Sequence, residues 1–185
     1  MAEAGYQSAN EEGGPMRSLI LYNWEVRDAY FQAFEALPVE ELTKDRQAGL
    51  GSIVKTLFHI IDVEYSWVCV IAGKPDMEFD SAAYGDIQSL AALSNQLRAE
   101  IRNDLLALQM ENLEYEYITA PWMTQTFSKA EILKHLIVHE VHHVGQLSIW
   151  ARELGIEPVS ANFIGKDLFN KTKAAFSTED EPTNM

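Results

Sequence analysis

Apolar residues recur every three or four positions along most of the chain, which is the spacing expected of amphipathic α-helices. The first predicted helix covers about residues 16–37 and is ended by Pro38, with a short helical turn at VEEL after it. A second helix begins after Ser52, which can cap its first turn, and ends at Gly73. The pattern therefore predicts helices rather than strands in the first half of the chain.

The second half continues the pattern with two more helices. One covers about residues 86–110, and the other begins at Ser128, whose spacing to Glu131 forms a capping box, and ends at Gly155. Between them, the segment LEYEYITAPWMTQTF alternates enough to predict an extended arm or a short hairpin. Four helices of this length predict an all-α fold, a four-helix bundle.

The two ends of the chain differ from this helical region. Residues 1–15 are polar and rich in glycine, and we expect a disordered extension. Residues 177–185, STEDEPTNM, are expected to form an acidic tail. At 185 residues the chain is long enough for one domain with a sizeable core, which we assign to residues 16–176.

Charge narrows the classes of partner. Acidic residues outnumber basic ones by 28 to 14, giving a net charge of -14, so the surface should repel nucleic acid and anionic lipid. The most apolar segment, residues 53–72, contains Lys55, Asp62 and Glu64 and is not expected to span a membrane. With Cys69 as the only cysteine and no secretory signal, a cytoplasmic protein is expected.

Histidines are crowded into one part of the last helix. Four of the five in the chain, His135, His139, His142 and His143, fall within nine positions. Residues four apart lie roughly 40° apart around a helix, so His139 and His143 can converge on one metal ion. His135 is too far from His143 along the axis, and His142 points roughly 100° away from it.

The third ligand must then come from another helix, and His59 is the only histidine left. It lies on a face of the second helix with Thr56 and Val63 that we interpret as inward. Three imidazoles with open positions for water or substrate are typical of a catalytic metal site, whereas structural zinc is usually closed by four ligands.

Plainer interpretations exist for each of these residues. His59 alone fits a buried, hydrogen-bonded histidine, and His135 and His142 fit residues at the core edge or partners of the ligands. Gln146 could orient a ligand or simply form a hydrogen bond on the helix surface. Asn23 and Arg27 are interpreted as surface residues, with a position near the mouth of the pocket as the alternative.

Three blocks of the chain resemble the DinB/YfiT-like family of metalloenzymes. They are LYNWEVRDAYFQAFEALPVEEL, GSIVKTLFHIIDVEYSW and FSKAEILKHLIVHEVHHVGQL. The resemblance implies a four-helix bundle with an up-down-down-up connection and an ion held by His59, His139 and His143. Nickel or zinc is favoured, and iron or manganese is compatible with the same ligands.

The relatives that this chain resembles include S-transferases that use a small thiol such as bacillithiol. We therefore expect a metal-dependent enzyme acting on a small molecule through a metal-activated thiol, like an S-transferase, or through water, like a hydrolase. No general base is identifiable from the sequence. Val144 stands where many relatives carry an arginine. The absence of that arginine would remove one anchor for an anionic thiol. The alternatives are a non-catalytic metal-binding stress-response protein and a helical scaffold without metal.

The side of the last helix opposite the histidines leads us to expect a homodimer. Ile137, Val141 and Val144 lie roughly opposite the histidines, so this helix has a second apolar face. The second helix shows the same doubling at Val54, Leu57, Ile61 and Val68. A second copy of the chain would cover both faces, although burial within one chain would also do so.

Overall fold

The computed structural model describes residues 14–47 and 49–176, and it is mostly helical. In chain order the helices are α1 (Pro15–Phe34), α2 (Val39–Thr43), α3 (Ile53–Ala72), α4 (Ile87–Ala107), α5 (Lys129–Glu153) and α6 (Leu168–Ala175). The expected all-α class is confirmed. The predicted acidic tail lies outside the described residues, and so does the predicted N-terminal extension, except for Gly14 and Pro15.

Side-chain caps set the beginnings of α3 and α5 near where the sequence predicts them. The Ser52 hydroxyl accepts a hydrogen bond from the backbone N–H of Lys55, at 3.2 Å, and begins α3. Ser128 and Glu131 form the predicted capping box at the start of α5. Gly73 ends α3 at a φ of 68°, in the left-handed region that glycine adopts without strain.

The segment before α5 forms a minimal hairpin. Strand β1 (Tyr117–Ile118) pairs antiparallel with β2 (Phe127–Ser128), and Ile118 lies opposite Phe127 in the register. The short-hairpin prediction is therefore confirmed. Because β2 leads directly into α5, the hairpin lies against the first turns of the helix that carries most of the histidines.

The four long helices share one apolar core. Helix α1 contacts α4 and α5, and α3 contacts the same two helices. The core contains fully buried side chains from all four, among them Tyr30, Phe34, Leu57, Ile61, Leu90, Leu97, Leu133, Leu147 and Trp150. None of the helices in residues 14–47 and 49–176 combines the length and apolar character needed to cross a bilayer.

The sequence pattern missed α6. This short helix packs on α1, where Trp24 stacks on Phe176 with ring centroids 5.8 Å apart. Leu168, Thr172 and Phe176 are almost completely buried. With only 8 residues, α6 gives too little periodicity to identify from sequence, and its contacts with α1 determine its apolar face.

The second apolar faces need no partner chain. Ile137 and Val144 of α5 are buried within the single chain, as are Val54, Leu57, Ile61 and Val68 of α3. Only Val141 of that set is exposed. The reason given from the sequence for a dimer is therefore wrong for most of these residues, since the neighbouring helices cover them.

Arg27 is buried in the core instead of lying on the surface. Its guanidinium donates two hydrogen bonds to Glu140 of α5, at 2.8 and 2.6 Å, and one to Glu64 of α3, at 2.8 Å. Burial alone would lower the pKa of Arg27, but the two carboxylates outweigh this and raise it. Asn23 is buried as well, and its amide donates to the carbonyl of Ile137. The interpretation of both residues as surface groups is wrong.

Replacing Arg27 should strongly destabilise the protein. Arg27→Ala would leave the carboxylates of Glu140 and Glu64 buried near each other without a cation, and loss of one buried partner typically costs about 3–5 kcal/mol. Urea unfolding followed by circular dichroism would measure this. Lys134→Ala removes an exposed ion pair between α5 and Glu114 and should leave stability almost unchanged. Equal losses in both variants would contradict the importance of the buried network.

Candidate metal centre

Helices α3 and α5 bring three histidines together. The Nε2 atom of His59 lies 3.0 Å from Nε2 of His139, which lies 3.2 Å from Nε2 of His143. The three ligand atoms are all within 4.8 Å of one another. Among the described residues, this is the one group of histidine, cysteine or acidic side chains with such an arrangement. The grouping expected from helical geometry is thus found.

The spacing of these nitrogens suits a metal ion. Two imidazoles bound to zinc at about 2.0–2.1 Å in a tetrahedral arrangement have nitrogens roughly 3.3 Å apart. The two observed separations that involve His139 are close to this value. The rings meet edge to face, His59 with His143 at 86° and His139 with His143 at 77°. The donor set therefore fits a divalent ion that accepts three imidazoles.

Gln146 holds His143 from the next turn of α5. Its Oε1 atom lies 2.9 Å from Nδ1 of His143, and its amide nitrogen lies 3.0 Å from Nε2 of His142. An amide oxygen only accepts, so Nδ1 of His143 carries the proton and Nε2 keeps its lone pair. Gln146 therefore fixes the tautomer that leaves the inward nitrogen of His143 available as a ligand.

Burial keeps His139 and His59 uncharged. It lowers the pKa of His139 to about 3, and repulsion from the imidazoles of His143 and His59 adds to the effect. Burial also lowers the pKa of His59, with His143 as the second cause. His139 and His59 are therefore neutral at neutral pH, which is the form that binds metals.

The other two histidines of α5 lie beside the group of three. The His135 ring is 5.4 Å from the His139 ring, and the His142 ring is 5.2 Å from that of His143, measured between centroids. Both side chains are exposed, and His142 is the partner of Gln146. His142 is separated from the group by the 100° rotation per residue, and His135 by its distance from His143 along the helix axis, as the sequence prediction states.

A loop glycine lies against the site from outside α5, and the sequence analysis did not identify it. Gly49 has a φ of 59°, and a Cβ atom added there would lie 2.4 Å from Oε1 of Gln146. Glycine suits this position for two reasons: it adopts the positive φ without strain, and it leaves room for the Gln146 amide. The loop between α2 and α3 thereby limits where the Gln146 amide can lie.

Comparison with known families identifies one that matches most of the chain. The family model described as "DinB family" matches residues 6–173. The chain belongs to the DinB family. A curated relative, the uncharacterized protein YizA of Bacillus subtilis, is 47% identical over 154 residues, covering 83% of this chain and 96% of YizA. DinB membership thus rests on most of the chain.

A solved structure shares the fold of this DinB-family chain. The crystal structure of a DinB-like protein from Bacillus cereus ATCC 10987 superposes with a TM-score of 0.58. It covers 76% of this chain and 93% of its own, at 17% sequence identity. This similarity supports the all-α DinB-like fold, whereas the site rests on this chain's own histidines.

Adding a methyl group at Gly49 should disturb His143 through Gln146. In Gly49→Ala we expect the Gln146 amide to move off Nδ1, so that His143 no longer favours one neutral tautomer. Nitrogen-15 chemical shifts of the imidazole in metal-free protein measure this directly.

Gly73→Ala is the matched control for Gly49→Ala. Gly73 also has a positive φ, but an added Cβ atom would meet nothing within 4 Å. The backbone strain is shared, so only Gly49→Ala should change the His143 tautomer, and Gln146→Ala should reproduce that change. An unaltered tautomer in Gly49→Ala would refute the role of the loop.

Proposed function

We propose that this protein binds one divalent metal ion through His59, His139 and His143. The observation that supports this most directly is the convergence of three imidazole nitrogens from α3 and α5 within 4.8 Å. A shared cation would give each of these partly or fully buried rings a strong partner. Nickel or zinc is favoured, and iron or manganese is compatible with three imidazoles.

We further propose that the site is enzymatic. Three protein ligands leave a metal position open to a small molecule, which is typical of catalytic rather than structural sites. A bound ion would supply Lewis acidity and favour the deprotonated form of a small thiol or of water. The protein would then act as an S-transferase-like enzyme or a hydrolase. The alternative is a non-catalytic stress-response protein in which the ion fastens α3 to α5.

Metal content should depend on three histidines and not on their neighbours. Elemental analysis of untagged protein grown with sufficient metal should find about one ion per chain, and each of His59→Ala, His139→Ala and His143→Ala should lose most of it. His135→Ala is the matched control, since it removes the same side chain one turn away on α5, and it should keep the metal. Metal-free wild-type protein would rule out the centre.

Exchange of small ligands separates the catalytic proposal from its alternative. In cobalt-substituted protein, bacillithiol, glutathione or cysteine should produce a thiolate-to-cobalt absorption band if the open position accepts a thiol. If water is the ligand instead, the visible cobalt spectrum should change with pH. A spectrum that responds to neither thiols nor pH would contradict an enzymatic site and favour the non-catalytic alternative.

We propose an up-down-down-up connection for a four-helix bundle of α1, α3, α4 and α5. Two polar contacts support a parallel α3 and α4, because Tyr65 donates a hydrogen bond to Glu100 and Lys74, just after α3, forms an ion pair with Asp104. The guanidinium of Arg17 donates to carbonyls at the end of α4, which supports antiparallel α1 and α4. An experimental structure with α3 and α4 antiparallel would contradict this connection.

We propose a homodimer that forms through the exposed apolar residues of α5 alone, and not through the larger set that the sequence suggested. Val138, Val141 and Ile149 are 62%, 47% and 52% exposed, and they lie within about 80° of one another around α5. A second copy would cover this face. Sedimentation that gives the mass of one chain, 20.9 kDa, would contradict it.

The remaining proposals concern partners, location and domain limits. The net charge of -14 supports a protein that works without nucleic acid or membrane. We also propose that the protein acts in the cytoplasm on a small molecule. A single domain over residues 16–176 is supported by the shared core of the long helices and by the packing of Phe176 on Trp24. Salt-sensitive binding of the protein to DNA would contradict the first of these proposals.

A further inference from the structure

A cavity of about 300 Å³ opens where α3, α5 and the hairpin meet, and it lies outside the group of three histidines. Its walls are Trp67, Met123, Phe127, Glu131, Ile132 and His135. Four of these six side chains are apolar, and two of them are aromatic. This volume is at the lower end of the range for small-molecule sites.

The aromatic side chains of the cavity wall come from two elements, Trp67 from α3 and Phe127 from β2. Trp67 is half-buried and packs edge to face on Trp122, with centroids 5.3 Å apart. Trp122 belongs to the loop between β1 and β2 and is 50% exposed. A second cavity, of about 250 Å³, is lined by Trp67 together with Val63 and Trp122. Trp67 therefore lines both cavities.

Each cavity is lined by a residue that lies close to the metal centre. His135 lines the first cavity, and its ring lies 5.4 Å from the His139 ring and 6.2 Å from Trp67. Val63, which lines the second, is one helical turn beyond His59. A small molecule could thus place one end at the histidines and an apolar part about one helical turn away.

Charge limits which molecules would enter. The charged side chains that line the two cavities are Glu131, Asp62 and Asp76, and neither lining includes a lysine or an arginine. Burial raises the pKa of Asp62, and the nearby Asp76 adds to that shift. An anionic arm would therefore meet like charge and find no cation, whereas a neutral apolar arm would meet aromatic and aliphatic walls.

We propose that the first cavity, lined by Trp67, Phe127 and Ile132, binds the uncharged apolar arm, aromatic or branched, of the small molecule whose other end reaches the metal centre. The placement of that other end at the metal rests on the proposed function, whereas the placement of the arm rests on the cavity alone. The inference narrows the substrate class to molecules with a neutral apolar arm and disfavours those whose arm carries a carboxylate.

Matched thiols test the preference for the arm. In cobalt-substituted full-length protein, titration of the thiolate-to-cobalt band would give dissociation constants for ethanethiol, phenylmethanethiol and the para-carboxylate of phenylmethanethiol. Burial of the phenyl group should make phenylmethanethiol bind about tenfold more tightly than ethanethiol. The carboxylate should lose most of this gain because it would meet Glu131 in the cavity wall.

Substitutions in the cavity wall test whether the cavity causes the preference for the phenyl group. Trp67→Ala should remove the preference for the phenyl group while ethanethiol binding changes by no more than about twofold. Met123→Gln keeps the loop and adds a polar group, so it should weaken the preference even if Trp67→Ala folds poorly. Phe169→Ala is the control, since Phe169 is an aromatic side chain of α6 that is 70% exposed and lines neither cavity.

A measurement without metal separates failure of the cavity from failure of the centre. Saturation-transfer NMR of metal-free protein with benzyl alcohol should show contacts to the phenyl protons that disappear in Trp67→Ala and persist in Phe169→Ala. If this signal is present but no thiol ever reaches cobalt, the proposed thiol chemistry is wrong and the cavity assignment stands.

Three results would overturn the assignment. The first is equal affinity for ethanethiol and phenylmethanethiol at cobalt, and the second is a benzyl alcohol signal that Trp67→Ala leaves unchanged. The third is loss of self-association in Trp67→Ala, measured by sedimentation, because the cavity would then be a contact between two copies of the chain.

Discussion

The burial of the Arg27 guanidinium is the constraint on which the arrangement of the long helices depends. A charge with no access to water must be met by charges of opposite sign, and Glu140 and Glu64 meet it from α5 and α3. These are also the helices that carry the histidines, and Glu140 directly follows His139 in the chain. The same hydrogen bonds that satisfy the guanidinium therefore fix the position of one histidine helix relative to the other.

The group of histidines depends on such support, because its members cannot satisfy one another. The Nε2 atom of His139 faces two other ring nitrogens, and each pair can share only one proton. Gln146 directs the outer nitrogen of His143, and the packing of α3 on α5 supplies the remaining restraint. The surroundings of the histidines thus hold them in place, through the buried ion pairs of Arg27 on one side and the Gln146 amide on the other.

The sequence predicts the pairing of His139 with His143 well because that pairing depends on local geometry, whereas His59 comes from another helix. A helix turns by 100° per residue and rises about 1.5 Å, so the rotation of His142 away from His143 and the distance of His135 from His143 along the axis follow from counting. Caps such as Ser52 are equally local. The partners of Arg27 were not predictable, because periodicity gives the direction of a side chain and not the identity of what it meets. The faces taken for a dimer contact were misinterpreted for the same reason, since periodicity cannot say which helix of the same chain covers an apolar face.

The capping box of α5 has a consequence for chain length. Ser128 and Glu131 fix where the helix begins, so the number of residues from there to His139 sets both its height and its rotation. One inserted residue would turn His139 by roughly 100° and would separate Glu140 from Arg27 at the same time. Related chains can therefore be expected to differ in the length of their loops and in many helix residues, while the spacing from the cap to Gln146 stays constant.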